Sequence, residues 1–246
     1  MSGKEYHIGV AKGEVGEYVL LPGDPKRTEM IAKHFDGAKE SAFNREFRTF
    51  TGKVGGLKVS VTSTGIGCPS AAIAIEELVR VGAHTFIRVG TAGSLQKEVD
   101  LGHLAIATAA VREEGTSRQY VPLQYPAVAH PDVVFALREA ARRLGYPHHL
   151  GITHCKDAFY SEEEGYSAQA EHNQDLWKTW MRGNVIATSM EESALFVVGS
   201  LRKVRVGSIL AIIGQTWAGK PVVHGIGPEK AIETAIAAIG ILASRK

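Results

Sequence analysis

Three arginines lie beside turns of small residues in the amino-terminal half of the chain. Arg88 stands inside the apolar segment Thr85–Val89 and directly precedes the turn Gly90-Thr91-Ala92-Gly93, while Arg27 and Arg45 follow similar turns. Burying a guanidinium costs several kcal/mol unless an anion compensates its charge. Arginine and free backbone N–H groups together bind oxyanions. We interpret the three residues as one phosphate-type site, with solvated surface arginines, or a buried glutamate partner for Arg88, as the alternatives.

A second set of chemically capable residues is acidic. Two neighbouring glutamates, Glu191 and Glu192, begin an apolar helical pattern. A carboxylate in a pocket would accept two hydroxyl hydrogen bonds from a vicinal diol. The alternative is a helix capping box, because Ser189 precedes Glu192 by three residues. Another acidic run, at 162–164, follows the aromatic pair Phe159-Tyr160 and is typical of a solvated loop.

Known phosphate-binding and metal-binding motifs are absent from the sequence. The loop Thr64–Ser70 joins a strand pattern to a helix pattern and offers backbone amides near a helix N-terminus. It has Ser70 where a dinucleotide fingerprint has its third glycine, and it lacks the Gly-Lys-Ser/Thr of a Walker A loop. No HExxH or CxxC occurs. Cys68 and Cys155 are interpreted as packed, reduced thiols.

Strand-like and helix-like stretches alternate along the chain. Buried strands that alternate with amphipathic helices predict a parallel sheet covered on both faces, and Gly55-Gly56 between two alternating stretches predicts an added hairpin. We therefore expect a single domain over residues 1–246, a three-layer α/β/α fold with a mixed, largely parallel central sheet. Ligands of such sheets bind beyond the strand carboxyl ends.

Composition excludes several classes of function. The 246 residues are 44% hydrophobic and 22% charged, which is ordinary for a globular domain with a sizeable core. With 28 Lys+Arg against 26 Asp+Glu, the net charge of +2 favours neither nucleic acid nor a membrane surface as partner. The first residues lack the apolar core of a signal peptide, and no run is long enough for a membrane span. We expect a cytoplasmic protein.

The chain resembles the nucleoside phosphorylase-I superfamily, and within it the uridine phosphorylases most. The resemblance extends over nearly the whole chain. It lies in these segments: His7-Ile-Gly9, Pro22-Gly-Asp-Pro25 with Arg27, Asn44-Arg-Glu-Phe47, Ser63-Thr-Gly-Ile-Gly67 with Pro69-Ser70, Ile87-Arg-Val-Gly-Thr91, Pro122-Leu-Gln-Tyr-Pro-Ala-Val128, Phe159-Tyr160 and Met190-Glu-Glu-Ser-Ala194.

The resemblance implies a role for each matching position. Phosphate would be bound by Gly23, Arg27, Arg88, Thr91 and, from a neighbouring subunit, Arg45. The ribose would be held by His7 of the neighbour and by Glu192, with Glu191 beside it. Phe159 would pack on the base or sugar. Glu46, Ile66 and Ser70 match the positions of a potassium ion that some members hold between subunits. No other cofactor is implied, and inorganic phosphate would be the co-substrate.

Three positions depart from the family pattern. Family members usually have Glu-Met-Glu-Ser where this chain has Met190-Glu191-Glu192-Ser193. The glutamine and arginine by which uridine phosphorylases recognise uracil align here with Glu163 and Gly165. The catalytic aspartate of the purine branch aligns with the segment Gly214-Gln215-Thr216. The chain therefore has neither the uracil-recognising pair of uridine phosphorylases nor the aspartate of the purine branch at these positions.

These observations predict phosphorolysis of a nucleoside, most simply uridine, to free base and ribose 1-phosphate. Arginines would position phosphate against an oxocarbenium-like sugar. Gln215 is the candidate donor to the leaving base, with Glu163 as a second base contact. Purine nucleoside phosphorolysis, N-ribosyl hydrolysis and binding without turnover remain alternatives. Because His7 and Arg45 would complete a neighbour's site, we expect a dimer or a trimer of dimers with shared active sites.

Overall fold

The structure is a computed structural model that describes residues 3–220, 222–223 and 225–244. Within them the chain forms ten strands and seven α-helices. The strands are β1 Tyr18–Leu21, β2 Asp36–Asn44, β3 Phe47–Val54, β4 Leu57–Thr62, β5 Thr85–Ser94, β6 Leu104–Glu113, β7 Ala127–Val128, β8 His148–Lys156, β9 Ala187–Ser189 and β10 Arg205–Gln215. The helices are α1 Pro25–Ala32, α2 Cys68–Arg80, α3 Ser117–Tyr120, α4 Pro131–Leu144, α5 Ala170–Arg182, α6 Glu192–Leu201 and α7 Glu229–Ala243.

The strands form one mixed sheet, as the sequence predicts. Its order is β10-β6-β8-β9-β5-β1-β4-β3-β2, with β7 added beside β6. Strand β10 also pairs with β5, in parallel and over ten register positions, so that β5, β9, β8, β6 and β10 form a closed ring. The sequence pattern did not predict this closure, because ring formation depends on pairing between strands far apart in the chain.

Helices cover both faces of the sheet, which confirms the three-layer prediction. On one face α2 and α6 pack together over a buried core that includes Ile75, Leu78 and Phe196. On the other face α4 and α7 pack together over Ile209, Leu137 and the aliphatic residues of α7. Apolar burial on two faces of one sheet is the main stabilising contribution in such a fold. Among the described residues, no helix combines the length and apolar character that crossing a bilayer requires.

Local sequence signals explain several element boundaries. The Asp24 side chain accepts a hydrogen bond from the Lys26 N–H, and Pro25 opens α1, so this helix starts where the sequence predicts. Gly55 and Gly56 both have positive φ (55° and 81°) in the hairpin between β3 and β4. Helix α4 ends at Gly145, which adopts the left-handed conformation (φ 70°).

Other elements differ from the sequence expectations. A capping box would place Ser189 immediately before the helix, but α6 begins at Glu192, and Ser189 ends strand β9. The capping-box alternative for Ser189 and Glu192 is therefore wrong, although their two side chains do bond to each other. Strand β2 and helix α5 were not predicted. Strand β2 has no fully buried residue, so it shows no apolar alternation, whereas helix α5 does have an apolar stripe that the element predictions missed.

Candidate active site

A cavity of about 1280 Å³ opens at the carboxyl ends of the strands. Gly23 follows β1, Gly65 follows β4, Thr91 lies near the end of β5, and Gly214 near the end of β10. Loops that leave parallel strands at one edge converge there, which is why this edge collects the functional residues of α/β sheets. The cavity brings together the arginine-rich and glutamate-rich segments, which lie as much as 168 positions apart, from Gly23 to Glu191.

Arg88 is the centre of a buried charge cluster on the cavity wall. Its side chain is 5% exposed. Nη2 forms an ion pair with Glu191, and Nε donates to Oε1 of Glu192 at 2.9 Å. The third guanidinium nitrogen, Nη1, is buried and has no hydrogen-bond partner among the described residues. A buried donor without a partner costs free energy, so this nitrogen indicates a site for an anionic ligand.

The two glutamates beside Arg88 have different positions. Glu191 lies on the cavity wall, and its carboxylate accepts hydrogen bonds from the N–H groups of Gly67 (3.0 Å) and Met190 (3.1 Å). Glu192 is fully buried behind the wall and accepts from Ser208 at 2.9 Å and from Ser189. The expectation that Glu192 reaches the ribose therefore disagrees with the structure. Helix α6 begins at Glu192 and turns that side chain into the core.

Electrostatics separates the same two carboxyl groups. Burial raises the pKa of Glu191, and the nearby charge of Glu192 adds to this, although Arg88 opposes both effects. Burial also opposes ionisation of Glu192, but Arg88 together with the hydroxyls of Ser189 and Ser208 lowers its pKa overall. Ionisation is thus more favourable at Glu192 than at Glu191, although both carboxyl groups pair with Arg88, and Glu191 is the one whose side chain lies on the cavity wall.

Among the described residues, one side of the cavity is formed by four of the five positions that are expected to bind phosphate, and Arg45 is not one of them. Gly23, Arg27, Arg88 and Thr91 all lie on the wall. Arg27 donates from Nη1 to the Val89 carbonyl at 3.3 Å, and burial and the positive charge of Arg88 lower the pKa of Arg27. Two cationic groups held so close to each other favour binding of a dianion between them.

A glycine makes room for the Arg88 guanidinium. A Cβ atom at Gly90 would lie 2.9 Å from Nη2 of Arg88 and 2.6 Å from the Leu210 side chain. Any larger residue at position 90 would therefore displace the guanidinium from its two glutamate partners. The Arg-Val-Gly sequence is thus a local requirement of the site.

The opposite side of the cavity contains Phe159 and Glu163, as the sequence predicts, together with residues that sequence reasoning missed. These are Lys156 at the end of β8, Glu162 in the following loop, and Trp177 on α5. Lys156 forms an ion pair with Glu162. The signals that could have found them are a lysine directly after a buried strand and the helical spacing of Trp177, Trp180 and Met181.

Gln215 is not positioned as a base donor. Its Nε2 donates to Oδ1 of Asp100 at 2.8 Å, and among the described residues Gly214 and Thr216, but not Gln215, form that part of the wall. Side chains alternate in direction along a strand, so the end of β10 turns the Gln215 side chain away from the cavity. The expectation that Gln215 meets the leaving base therefore disagrees with the structure.

His7 and Arg45 lie together on the surface, outside the wall of the chain's own cavity as the described residues form it. The Asn44 side chain donates to the carbonyl oxygens of Tyr6 (3.2 Å) and His7 (2.8 Å), which joins the two segments. The His7 Nδ1 lies 2.6 Å from Oε1 of Glu77. A pair of polar residues presented next to each other, away from their own site, is what a shared site would require.

The three positions that match a potassium site lie on one cavity wall. Glu46, Ile66 and Ser70 all line the cavity, and the Ser70 hydroxyl donates to Oε1 of Glu46 at 2.7 Å. A Cβ atom at Gly65 would lie 2.8 Å from Cγ of Glu46, so the glycine keeps this corner open. The described residues contain no group of three or more His, Cys, Asp or Glu side chains able to hold a metal ion. Potassium prefers oxygen ligands, and here they would come from a carboxylate, a hydroxyl and a carbonyl.

Comparison with known proteins identifies the family. Residues 17–244 match the family described as the phosphorylase superfamily. A uridine phosphorylase of Treponema pallidum is 45% identical over 97% of this chain and 94% of its own length. A uridine phosphorylase of Thermococcus kodakarensis is 47% identical over 85% of this chain and 77% of its own length. A guanosine phosphorylase of Halorubrum lacusprofundi is 38% identical over 88% of this chain and 86% of its own length. The chain belongs to the phosphorylase superfamily.

Proposed function

We propose that this protein catalyses the phosphorolysis of a nucleoside, uridine first, to the free base and ribose 1-phosphate. The observation that carries the proposal is the buried Nη1 of Arg88, which has no hydrogen-bond partner among the described residues and lies at a cavity wall that Arg27 and Gly23 also line. Uridine phosphorylases at 45% and 47% identity support the substrate.

The reaction requires positioning more than covalent help. Phosphate bound by Gly23, Arg27, Arg88 and Thr91 attacks C1′ of the ribose while the bond from C1′ to the base nitrogen breaks and its electron pair leaves with the base. Positive charge that develops on the sugar is stabilised by the phosphate and by a neighbouring carboxylate. Hydrogen phosphate loses one proton to solvent, and the released base takes up one proton from solvent, so the reaction is balanced.

Glu191 is the proposed ribose contact. Its carboxylate is on the wall and already accepts two backbone N–H groups, so its position is restricted before a ligand binds. A carboxylate can accept both hydroxyls of a vicinal diol. Phe159 and Glu163 line the side where the base would lie.

We also propose that the active site is shared between subunits of a cytoplasmic homo-oligomer, either a dimer or a trimer of dimers. His7 would contact the ribose and Arg45 the phosphate of a neighbouring subunit. Glu46, Ile66 and Ser70 would hold a structural potassium ion near the same contact. Mixing an Arg45→Ala variant with an Arg88→Ala variant tests the sharing, because each mixed pair retains one intact site. We expect the mixture to recover activity. A mixture that is as inactive as each variant alone contradicts a shared site.

The test of the reaction is the release of ribose 1-phosphate from uridine, inosine, guanosine and adenosine, and of deoxyribose 1-phosphate from thymidine, with and without inorganic phosphate. Phosphate-dependent cleavage of uridine is expected. Ribose release in the absence of phosphate would instead indicate an N-ribosyl hydrolase, against which the retained arginines argue. If none of these nucleosides is cleaved, binding without turnover is the remaining alternative.

A purine nucleoside is the second candidate substrate. The relative named guanosine phosphorylase is 38% identical, and this chain lacks the glutamine and arginine with which uridine phosphorylases recognise uracil. A guanosine or inosine turnover above that of uridine in the same panel would reverse the order of the two candidates.

A further inference from the structure

The inner wall of the cavity holds a buried ion pair that the reaction described above does not use. The side chains of Lys156 and Glu162 are 8% and 10% exposed, and both line the cavity. Burying two charges is costly unless they are paired and have further hydrogen bonds. A pair retained on the wall of a ligand cavity therefore requires an explanation.

The pair is held in place by the surrounding structure. Lys156 ends strand β8 and also donates to the Phe159 carbonyl at 3.1 Å. The loop that carries Glu162 is fixed to helix α5, because Gln174 donates to the Glu162 carbonyl at 2.8 Å and Asn173 to the Ser161 carbonyl at 2.7 Å. The geometry is thus determined by a strand on one side and a helix on the other, before any ligand binds.

Both groups retain hydrogen-bonding capacity. An ammonium has three N–H donors, and two of them meet Glu162 and the Phe159 carbonyl. Among the described residues, the third N–H has only the Ser161 hydroxyl as acceptor, at the limiting distance of 3.5 Å. Each carboxylate oxygen can accept two hydrogen bonds, and Oε1 of Glu162 receives one from Ser161 at 2.8 Å. A ligand can therefore accept from Lys156 and donate to Glu162 at the same time.

Trp177 adds an independent sign of a polar ligand at this end of the cavity. Its ring lies on the wall, with its centroid 4.8 Å from Nζ of Lys156. Its Nε1 is buried and has no hydrogen-bond partner among the described residues. A buried indole N–H normally finds an acceptor, so a ligand oxygen in this region would satisfy it.

We propose that Lys156 and Glu162 recognise the lactam group of the base, a carbonyl next to an N–H. Lys156 donates to the oxo group, and Glu162 accepts from the N–H. Uracil, thymine, hypoxanthine and guanine have this group. In the same pose, cytosine and adenine place an amino group, a donor, against Lys156 and an unprotonated ring nitrogen, an acceptor, against Glu162. Both hydrogen bonds are then lost. This inference rests on the proposed phosphorolysis and specifies its substrate class.

The same contact has a consequence for the chemistry. When the glycosidic bond breaks, its electron pair remains on the base, and in a lactam base the negative charge spreads onto the oxo groups. A lysine ammonium hydrogen-bonded to such an oxygen stabilises that charge as it develops. The base anion then takes its proton from solvent, and Lys156 keeps its own. Lys156 is thereby assigned as the donor to the leaving group, the role that Gln215 does not fill.

The first test uses the unaltered protein and needs no variant. Nucleosides, in which the glycosidic nitrogen carries no proton, are assayed as inhibitors of uridine phosphorolysis. Thymidine and inosine are expected to inhibit at least about 100-fold more strongly than deoxycytidine and adenosine, because the latter two set a donor against Lys156 and an acceptor against Glu162 inside the site. Equal inhibition within the pair thymidine and deoxycytidine, or within the pair inosine and adenosine, overturns the assignment.

The second test measures sensitivity to the leaving group. Lys156→Met should lower kcat/KM for uridine by about 100-fold, and less for 5-fluorouridine, whose base is the better leaving group. The rate ratio of 5-fluorouridine to uridine therefore rises. Lys178→Met is the matched control, since Lys178 lies on the same cavity but is 58% exposed and paired with Asp175 at 2.8 Å. Its rate ratio should equal that of the wild type.

Outcomes for this inference and for the proposed function can be distinguished. A wild-type protein without phosphate-dependent activity contradicts the function itself. An active wild type, with an unchanged rate ratio in Lys156→Met, contradicts only the role of Lys156. Thermal unfolding first establishes that the variant is folded. If it is not, Glu162→Gln is used instead, with a fall in the preference for thymidine over deoxycytidine as the expected result and a retained preference as the contrary one.

Discussion

The two ends of the active-site cavity are built differently. At the proposed phosphate end, Arg88 lies within strand β5 and is surrounded by two glutamates from the start of α6, all nearly or fully buried. At the proposed base end, Lys156 lies at the tip of a strand, and its partner Glu162 lies in a loop fixed by side-chain amides of α5. Under these proposals, regular elements set the geometry for the bond that forms, whereas a loop sets the geometry for the base. The loop can therefore change the substrate without disturbing the reaction.

The largest expected effect comes from breaking the phosphate end. Arg88→Met removes the central cation and leaves Glu191 and Glu192 without their partner. We expect kcat/KM to fall by about 1000-fold or more and the free energy of unfolding to fall by about 3–5 kcal/mol. Phosphorolysis assays and denaturant unfolding measure the two effects.

A triple variant separates these two effects. Arg88→Met combined with Glu191→Gln and Glu192→Gln removes all three charges, so most of the lost stability should return while activity stays absent. Near-normal turnover in either variant would show that Arg88 is structural and that the phosphate site lies elsewhere.

The two glutamates should differ mainly in their effect on activity. Glu191→Gln changes a carboxylate on the wall, so we expect kcat/KM to fall by about 100-fold. Because this buried carboxylate is also paired with Arg88, the variant should lose about 1–3 kcal/mol of stability as well. Glu192→Gln changes a fully buried group and should cost about 1–3 kcal/mol of stability, with a smaller loss of turnover. The reverse pattern would restore Glu192 as the ribose contact.

The base end predicts a pH effect of intermediate size. Burial lowers the pKa of Lys156 from its ordinary value of 10.5, although Glu162, Glu113 and Glu163 oppose the shift. Because only the protonated lysine can donate, activity should decline as pH rises through this lowered pKa, at a pH below 10.5. Profiles of kcat/KM against pH are compared for the wild type and Lys156→Met. The substrate's own N–H ionises in both, so a limb present only in the wild type belongs to Lys156. Identical profiles would argue against it.

The smallest effect is expected at Gln215, which lies near the cavity but points away from it. Gln215→Ala removes one exposed hydrogen bond to Asp100. We expect kcat/KM within about twofold of the wild type and a change in unfolding free energy within about 0.5 kcal/mol. A large loss of turnover would mean that the side chain turns into the cavity when the substrate binds.

Part of the proposed phosphate end was predictable from the sequence alone. A charged residue inside an apolar strand needs a partner, whatever the rest of the fold, and for Arg88 the structure supplies Glu191 and Glu192, the buried-glutamate alternative that the sequence left open. Binding of an anion by the same arginine stays a prediction. The helix start at Pro25 and the hairpin at Gly55-Gly56 are equally local, because capping and positive φ depend on adjacent residues.

The tertiary structure alone decided which of two adjacent glutamates lies on the cavity wall, because Glu191 has a non-helical backbone before α6 whereas Glu192 is the first residue of the helix. It also decided that Gln215 points away from the cavity, which depends on the phase of strand β10 at its last residue. The pairing of Lys156 with Glu162, and the Trp177 ring beside it, depend on how helix α5 packs against a loop. These are contacts between separate elements, and no spacing in the sequence encodes the distance between them.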